Sequence, residues 1–193
     1  MEPWIQTYTG KKFWPLAPKP IDIDILDIAH ALSLKCRFEG HCVRFYSVAE
    51  HCCLVADLLL MQENNMQLAC AGLLHDAAEA YLPDVLSPIK PILVGFAEIE
   101  EVLERAIAIR FNLPLPFPKE IKEADRGLLH AERKQVLIEG PAWSRFEGII
   151  PDVEIRFLDP TYAEIEFLKR SAHFGLIRIK KDGLILPGRN ETA

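Results

Sequence analysis

Apolar residues recur every three or four positions along most of the chain, which is the spacing of one face of an α-helix. The pattern predicts six helices, with few signs of strand between them. Their approximate ranges are 25–36, 47–62, 67–82, 96–111, 119–138 and 160–174. The prediction is therefore an all-α fold built as a helical bundle.

Several helix ends carry recognisable signals. Ser47 followed by Glu50 forms a capping box, which opens the second helix. Asp22 or Asp24 can begin the first helix, and Pro118 is well placed as the first residue of the fifth. Asn64 and Asn65 break the second helix from the third, Gly140 and Pro141 end the fifth, and residues 141–159 are predicted to be irregular.

The two ends of the chain differ from the helical part. Residues 4–8 and 11–14 flank Thr9-Gly10, which predicts a small hairpin, and prolines 15, 18 and 20 then form a stiff linker. This segment is not obviously part of the core, and we expect it to cover a pocket or a partner subunit. Residues 176–186 predict short C-terminal strands around Asp182-Gly183. We interpret 1–193 as one domain, divided into 1–20, a helical core at 21–140, and a C-terminal helix and tail at 141–193.

One apolar run contains an adjacent histidine and aspartate, His75 and Asp76, followed by Glu79. Burying ionisable groups costs several kcal/mol unless they are paired or bound to a metal. Imidazole nitrogen and carboxylate oxygen suit Zn, Mn, Fe or Co. If the run is one helix, Glu79 lies a turn beyond both residues and faces the same side. The alternative is a buried pair that only orders the core.

Composition narrows the class of protein. The chain has 193 residues, half of them hydrophobic, and a formal net charge of −6, which disfavours binding to a nucleic-acid polymer. No apolar run suits a membrane span and no signal-peptide pattern begins the sequence, so we expect no membrane partner. The five cysteines lack CxxC spacing, which favours free thiols in a reducing cytoplasm.

The histidines and aspartates form a wider pattern: His51, then His75-Asp76, then Asp125. This order and spacing resemble the HD-domain phosphohydrolase superfamily, in which H…HD…D binds a divalent cation within a helical bundle. The residues His75-Asp76-x-x-Glu79-x4-Asp84-x3-Pro88-x-Lys90, with Cys36-Arg37-Phe38 upstream, are similar to the signature of bacterial 5′-deoxynucleotidases. The same pieces occur in phage dATP triphosphohydrolases.

The resemblance implies a role for each matching residue. The implied metal ligands are His51, His75, Asp76 and Asp125; the implied catalytic residues are Glu79 and Asp84; and the substrate-binding candidates are Arg37, Phe38, Lys90 and His41. Three or four N/O ligands leave open positions on a metal for water and a phosphate oxygen, and a glutamate outside the ligand set can orient or deprotonate that water. Arg37 offers a fork of donors suited to phosphate. For Arg37 and Lys90 the alternative is solvated loop charge, and for His41 it is loop packing.

The implied function is a metal-dependent deoxynucleotide phosphohydrolase. A dNTP triphosphohydrolase that prefers dATP is favoured over a 5′-deoxynucleotidase acting on dNMPs, and a non-catalytic nucleotide-binding module or a signalling-nucleotide hydrolase ranks below both. The metal is left open among Co, Mn, Zn, Fe and Mg. The resemblance also implies a homo-oligomer, either a dimer or a hexamer, in the cytoplasm.

Overall fold

The computed structural model describes residues 3–86, 88–141, 143, 146–179 and 185–187. Within these residues six α-helices are flanked by two small antiparallel hairpins, which confirms the predicted fold class. The elements are β1 Ile5–Gln6, β2 Lys12–Phe13, α1 Ile25–Leu34, α2 Val48–Glu63, α3 Met66–Leu73, α4 Phe96–Phe111, α5 Lys119–Val136, α6 Pro160–His173, β3 Ile177–Ile179 and β4 Ile185–Pro187. No helix in the described ranges is both long and apolar enough to cross a membrane.

Helix α2 lies at the centre of the bundle, where it packs against α1, α3, α5 and α6. The Ser47 hydroxyl accepts the Glu50 amide at 3.1 Å, as the capping box predicts. The helix ends at Asn64, which adopts the left-handed conformation, and the Asn65 side chain then caps α3. These two asparagines therefore fold α3 back against α2 as a tight antiparallel pair.

Helix α3 ends at Leu73, so the prediction of one helix from 67 to about 82 is wrong. The reason lies in the backbone acceptors. The Leu74 amide is shared between two carbonyls of the last turn, and the Gly72 carbonyl accepts from the His75 side chain at 2.7 Å. His75 and Asp76 consequently lie in a turn, which a short 3₁₀ helix, Ala77–Ala80, follows. The helical spacing invoked for Glu79 therefore does not apply.

Smaller differences concern helix ends. Helix α1 ends at Leu34, two residues before the predicted end at Cys36. Helix α5 ends at Val136, two residues before the predicted end at Ile138, because the backbone of Leu137 is extended. Asp24 caps α1 through its side chain. Pro118 is the N-cap residue of α5, whereas it was predicted to be the first residue inside that helix.

Phe13 of the N-terminal hairpin joins the core, whereas Trp4, Ile5 and Tyr8 remain exposed. Phe13 is fully buried and stacks on Tyr81 with ring centroids 4.1 Å apart. The buried Asp27 carboxylate accepts the Thr9 amide at 2.6 Å and the Thr9 hydroxyl at 3.1 Å, which holds the turn against α1. The C-terminal hairpin is confirmed by the pairing of β3 with β4, while its predicted turn lies outside the described residues.

Candidate metal centre and active site

Three elements bring the four implied ligands together. His51 lies in the first turn of α2, His75 and Asp76 in the turn after α3, and Asp125 in the second turn of α5. His51 Nε2 lies 3.4 Å from His75 Nε2 and 3.2 Å from Asp125 Oδ1. Asp76 Oδ2 lies 3.3 Å from His75 Nε2 and 3.7 Å from His51 Nε2. Two nitrogens and two carboxylates therefore face one small volume.

The outer nitrogen of each histidine is committed to an acceptor. His75 Nδ1 donates to the Gly72 carbonyl at 2.7 Å, and His51 Nδ1 donates to the Glu132 carboxylate at 2.6 Å. In the neutral imidazole the other nitrogen, Nε2, then carries the lone pair. The two Nε2 lone pairs face each other across the shared volume, an arrangement that suits a cation between them.

Glu132 is the functional residue that the sequence analysis missed. It is fully buried in α5, and it also accepts the Tyr46 hydroxyl at 2.7 Å and Arg37 Nη2 at 3.0 Å. One carboxylate thus orients His51 and Arg37 together. A signal was present: Glu132 lies seven residues after Asp125, two helical turns along the same face.

The electrostatics of the site favour a cation. Burial alone would raise the pKa of Glu132, but the Arg37 guanidinium and His51 outweigh it and lower that pKa to about 2. Burial alone would lower the pKa of His75, but the adjacent Asp76 carboxylate outweighs it and raises that pKa. The carboxylates beside both histidines therefore favour a positive charge on or between the two rings.

A divalent metal ion fits this donor set. The possible ligand atoms of His51, His75 and Asp125 lie within 4.8 Å of one another, and the donors are nitrogen and oxygen, as catalytic metals prefer. Both histidines carry the outer hydrogen bond that usually fixes a metal-binding ring. Cys52, assigned to packing from the sequence, is fully buried but lies within the same distance of His75 and Asp76.

A cavity of about 300 Å³ opens beside the ligands. It brings together most of the implied site residues: two ligands, both implied catalytic carboxylates and three of the four substrate-binding candidates. Its lining consists of Arg37, Phe38, Asp76, Glu79, Asp84, Val85, Leu86, Lys90, Asp125 and Leu129. His41 is outside this lining and is exposed at the end of the loop that carries Arg37.

The loop after α1 presents Arg37 and Phe38 to the cavity. The Arg37 side chain is 14% exposed, its Nη1 lies 3.7 Å from Asp76 Oδ2, and its buried Nε has no hydrogen-bond partner among the described residues. Phe38 and Glu39 both have left-handed backbone, with φ of 53° and 50°, which is uncommon for residues with side chains. Such strain concentrates at functional sites, and here it aims Phe38 into the cavity.

Glu79 differs from the other cavity carboxylates in its protonation. Burial first, and then the neighbouring Asp76 and Asp84 carboxylates, raise the pKa of Glu79 to about 8. A group that titrates near neutral pH can accept and release protons during catalysis. The Lys35 ammonium donates to the backbone carbonyls of Glu79 and Leu82, and so fixes this turn.

Lys90 reaches the cavity from the proline-bounded loop that precedes α4. Its ammonium lies 2.6 Å from one Glu100 carboxylate oxygen and 2.7 Å from the other. The lysine side chain remains 40% exposed, so this pair positions a positive charge at the mouth without removing it from solvent.

Comparison with known proteins agrees with this geometry. Residues 48–133 match the family model described as HD domain, a span that contains all four converging ligands and Glu132. The chain belongs to the HD-domain phosphohydrolase superfamily, whose members are metal-dependent hydrolases. Arg37 and Phe38 lie upstream of the matched span.

Two relatives extend the comparison beyond that span. The uncharacterized protein YfdR of Escherichia coli strain K12 is 37% identical over 147 residues, which are 76% of this chain and 80% of YfdR. An uncharacterized protein of Rhodobacter capsulatus is 37% identical over 126 residues, 63% of this chain and 64% of that protein. Both relatives are uncharacterized, so neither indicates a substrate.

Proposed function

We propose that the protein hydrolyses deoxynucleotides at the phosphorus nearest the sugar, with a divalent metal held by His51, His75, Asp76 and Asp125. The observation that carries the proposal is the cavity in which Asp76, Asp125, Glu79 and Arg37 meet. When bound there, a divalent cation polarises a phosphate oxygen and lowers the pKa of a coordinated water. The remaining chemistry belongs to the side chains around it.

Arg37 and Glu79 take the two complementary roles. The Arg37 guanidinium is held rigid by Glu132, and its Nη1 lies beside Asp76, where it can bind a phosphate oxygen. Glu79 accepts a proton from the attacking water, because its pKa lies near neutral pH and its carboxylate lines the same cavity. Asp84 keeps that pKa high, and Lys90 adds positive charge at the mouth.

The charge of the cavity favours a monophosphate over a triphosphate. Among the described residues, four carboxylates and two cations line it, and both cations already have carboxylate partners. A divalent metal brings the formal charge of these groups to zero, which accommodates one phosphate more readily than three. We therefore rank the 5′-deoxynucleotidase reaction above the dNTP triphosphohydrolase reaction that the resemblance favoured, and keep the latter as the alternative.

A product assay tests the proposal. The protein is incubated with each dNMP, dNTP and NTP in the presence of Co²⁺, Mn²⁺, Mg²⁺ or Zn²⁺, and the products are separated by ion-exchange chromatography. Inorganic phosphate and deoxynucleoside from dNMPs support the monophosphate reaction. Deoxynucleoside and intact triphosphate, chiefly from dATP, support the alternative. Turnover of none of these substrates contradicts both.

Assembly into a dimer or hexamer stays a prediction. Apolar side chains in the loop that forms one wall of the cavity are exposed, including Ile92 at 74% and Val94 fully. Size-exclusion chromatography with light scattering measures the number of subunits directly.

A further inference from the structure

Two cysteines flank the loop that carries Arg37 and Phe38. Cys36 lies just before this loop and Cys42 lies six residues further on, and their Sγ atoms are 4.0 Å apart. The Cys36 thiol donates to the Cys42 sulfur, and the Cys42 thiol in turn donates to the Arg37 carbonyl at 3.1 Å. A disulfide bond is about 2 Å long, so the two sulfurs need to approach by about 2 Å. The thiols are therefore already paired across the base of the loop.

The same two thiols are the ones that solvent reaches. Cys36 and Cys42 are both partly exposed, whereas the other three cysteines of the chain are buried. Oxidation of a thiol depends on access to its sulfur as well as on its ionisation. An oxidant in solution therefore meets this pair before it meets Cys52, Cys53 or Cys70.

The backbone at both ends of the loop is anchored, while the loop itself is strained. The Arg37 amide donates to the Tyr46 carbonyl at 2.9 Å, and the Val43 amide donates to the Val136 carbonyl at the same distance. Between these anchors, residues 38–40 all have positive φ, from 50° to 78°. Such backbone is uncommon for residues with side chains. A movement of the two sulfurs is therefore taken up by the loop between them.

A movement of this loop changes the phosphate side of the cavity and spares the metal ligands. Arg37 and Phe38 line the cavity, and Arg37 Nη1 lies 3.7 Å from Asp76 Oδ2. A disulfide would draw the sulfurs together and remove the Cys42 proton that the Arg37 carbonyl accepts. The four implied ligands lie on α2, on α5 and in the turn after α3, outside this loop. The disulfide therefore acts on substrate binding more than on metal binding.

Formation of the disulfide needs a two-electron oxidant, which a peroxide supplies. Burial first, and then the adjacent Cys36 thiol, raise the pKa of Cys42 to about 12, so Cys42 stays protonated at neutral pH and Cys36 reacts first. The Cys36 thiolate attacks a peroxide oxygen, the O–O bond breaks, and the leaving hydroxide takes up the proton that the thiol released. The product is a sulfenic acid on Cys36.

Cys42 completes the reaction. Its sulfur attacks the Cys36 sulfur, the S–O bond breaks, and the hydroxide leaves as water with the Cys42 proton. Hydrogen peroxide has then accepted two electrons from the two thiols and has become two molecules of water. A dithiol reverses the reaction by thiol–disulfide exchange, in which the dithiol itself becomes a disulfide.

We propose that Cys36 and Cys42 form a reversible oxidation site, at which hydrogen peroxide converts the pair to a disulfide that weakens phosphate binding by Arg37. The site itself stands on the geometry of the two thiols, whereas its effect on substrate rests on the proposed function. The two parts are therefore measured separately, the first by chemistry on the protein and the second by kinetics.

Peptide mass spectrometry detects the oxidation site directly. Reduced native protein is treated with hydrogen peroxide, catalase removes the excess, and iodoacetamide blocks the remaining thiols before digestion with trypsin. Because Lys35, Arg37 and Arg44 are cleavage sites, the disulfide joins the dipeptide 36–37 to the peptide 38–44. This linked pair should appear after peroxide treatment and disappear after reduction with dithiothreitol.

Two variants sharpen the test. Cys42→Ser keeps a hydroxyl that can donate to the Arg37 carbonyl, so the reduced variant should hydrolyse substrate as the native protein does. It should form no linked peptides, and its Cys36 sulfenic acid should be captured by dimedone. Cys70→Ala is the matched control, since it removes a buried thiol from α3 and should form the linked peptides as the native protein does. Thermal melting shows that each variant is folded.

Hydrolysis is measured on the same samples after loading with Mn²⁺. The disulfide form should have a KM for dNMPs raised about tenfold or more, the effect of losing a charged hydrogen bond, with bound Mn²⁺ per chain unchanged. Absence of the linked peptides, or linked peptides with an unaltered KM, overturns the inference. Reduced native protein that hydrolyses no nucleotide refutes the proposed function, while the linked peptides still decide whether the oxidation site exists.

Discussion

The two histidines of the metal centre are oriented by different parts of the molecule. His75 is held locally, by a carbonyl three residues before it, in the turn that ends α3. His51 is held from a distance of 81 residues in sequence, by the Glu132 carboxylate on α5, which also binds Tyr46 and Arg37. One side of the site depends on backbone geometry alone, and the other on a buried network of charged and polar side chains.

This difference has a physical consequence. A backbone acceptor cannot be removed by substituting a side chain, so the His75 side changes only when the turn itself is displaced. The Glu132 network can be altered by one substitution that replaces a single carboxylate oxygen. This network connects the metal centre to the Arg37 guanidinium, which faces the cavity. The Glu132 network therefore links the position of His51 to that of Arg37, whereas the orientation of the His75 ring is set by the turn itself.

Replacing a ligand on either side should give the largest effect, and an equal one. His51→Ala and His75→Ala should each lose the metal and reduce hydrolysis to background, because each removes one of the four donors that converge on the ion. Elemental analysis beside initial rates measures both. His173→Ala is the control, since His173 is exposed at the end of α6. A metal-free variant with full activity would refute the assignment.

Glu132→Gln should weaken metal binding by about 10- to 100-fold, because it removes the charge that orients His51 while keeping the size of the side chain. It should also raise KM for the substrate, since Arg37 loses its buried partner. Metal titration and steady-state kinetics measure the two effects. Glu123→Gln, an exposed position on the same helix, is the matched control. Weakened metal binding with KM unaltered would show that the two functions are not coupled.

Gly72→Ala probes the His75 side by displacing the turn. A Cβ atom at Gly72 would overlap the fully buried Leu59 side chain of α2, so either that side chain or α3 must shift. We expect a loss of about 1–3 kcal/mol in the free energy of unfolding, together with weaker metal binding. Chemical denaturation of the apoprotein and metal titration measure these. Gly140→Ala meets no side chain within 4 Å and should be neutral. Equal stability of both variants would contradict the close contact.

The smallest effect concerns pH. Glu79 must be deprotonated to accept a proton, so the rate should fall as the pH drops through the pKa of Glu79, which is raised to about 8 without metal. A bound cation lowers that pKa, so the acidic limb of the pH–rate profile should lie at or below about pH 8. Asp84→Asn removes a neighbouring negative charge, and should move the limb to lower pH in a kcat profile. A limb that does not move would exclude Glu79 as the titrating group.

The sequence predicted those parts of the site that depend on order along the chain. The capping box at Ser47 placed His51 at the start of a helix, and the histidine–aspartate pair marked the next element. Glu132 was not found, because its spacing from Asp125 places it on the ligand face of α5 but does not show whether it is buried before α2 is packed against that face. The end of α3 was missed because the apolar pattern continues past Leu73. The break depends on the His75 side chain, which donates to the Gly72 carbonyl in place of a helical backbone amide. Lys35 was missed for the same reason as Glu132, since its acceptors are backbone carbonyls of a distant turn.

The central claim is that one divalent ion, held by His51, His75, Asp76 and Asp125, is required for hydrolysis. The most direct test removes all metal with a chelator and restores Mn²⁺ in steps, with bound metal and dNMP hydrolysis measured on the same samples. The account predicts no hydrolysis in the metal-free protein and a rate that rises in proportion to bound metal up to one ion per chain. Full hydrolysis by protein that elemental analysis shows to be metal-free would contradict it.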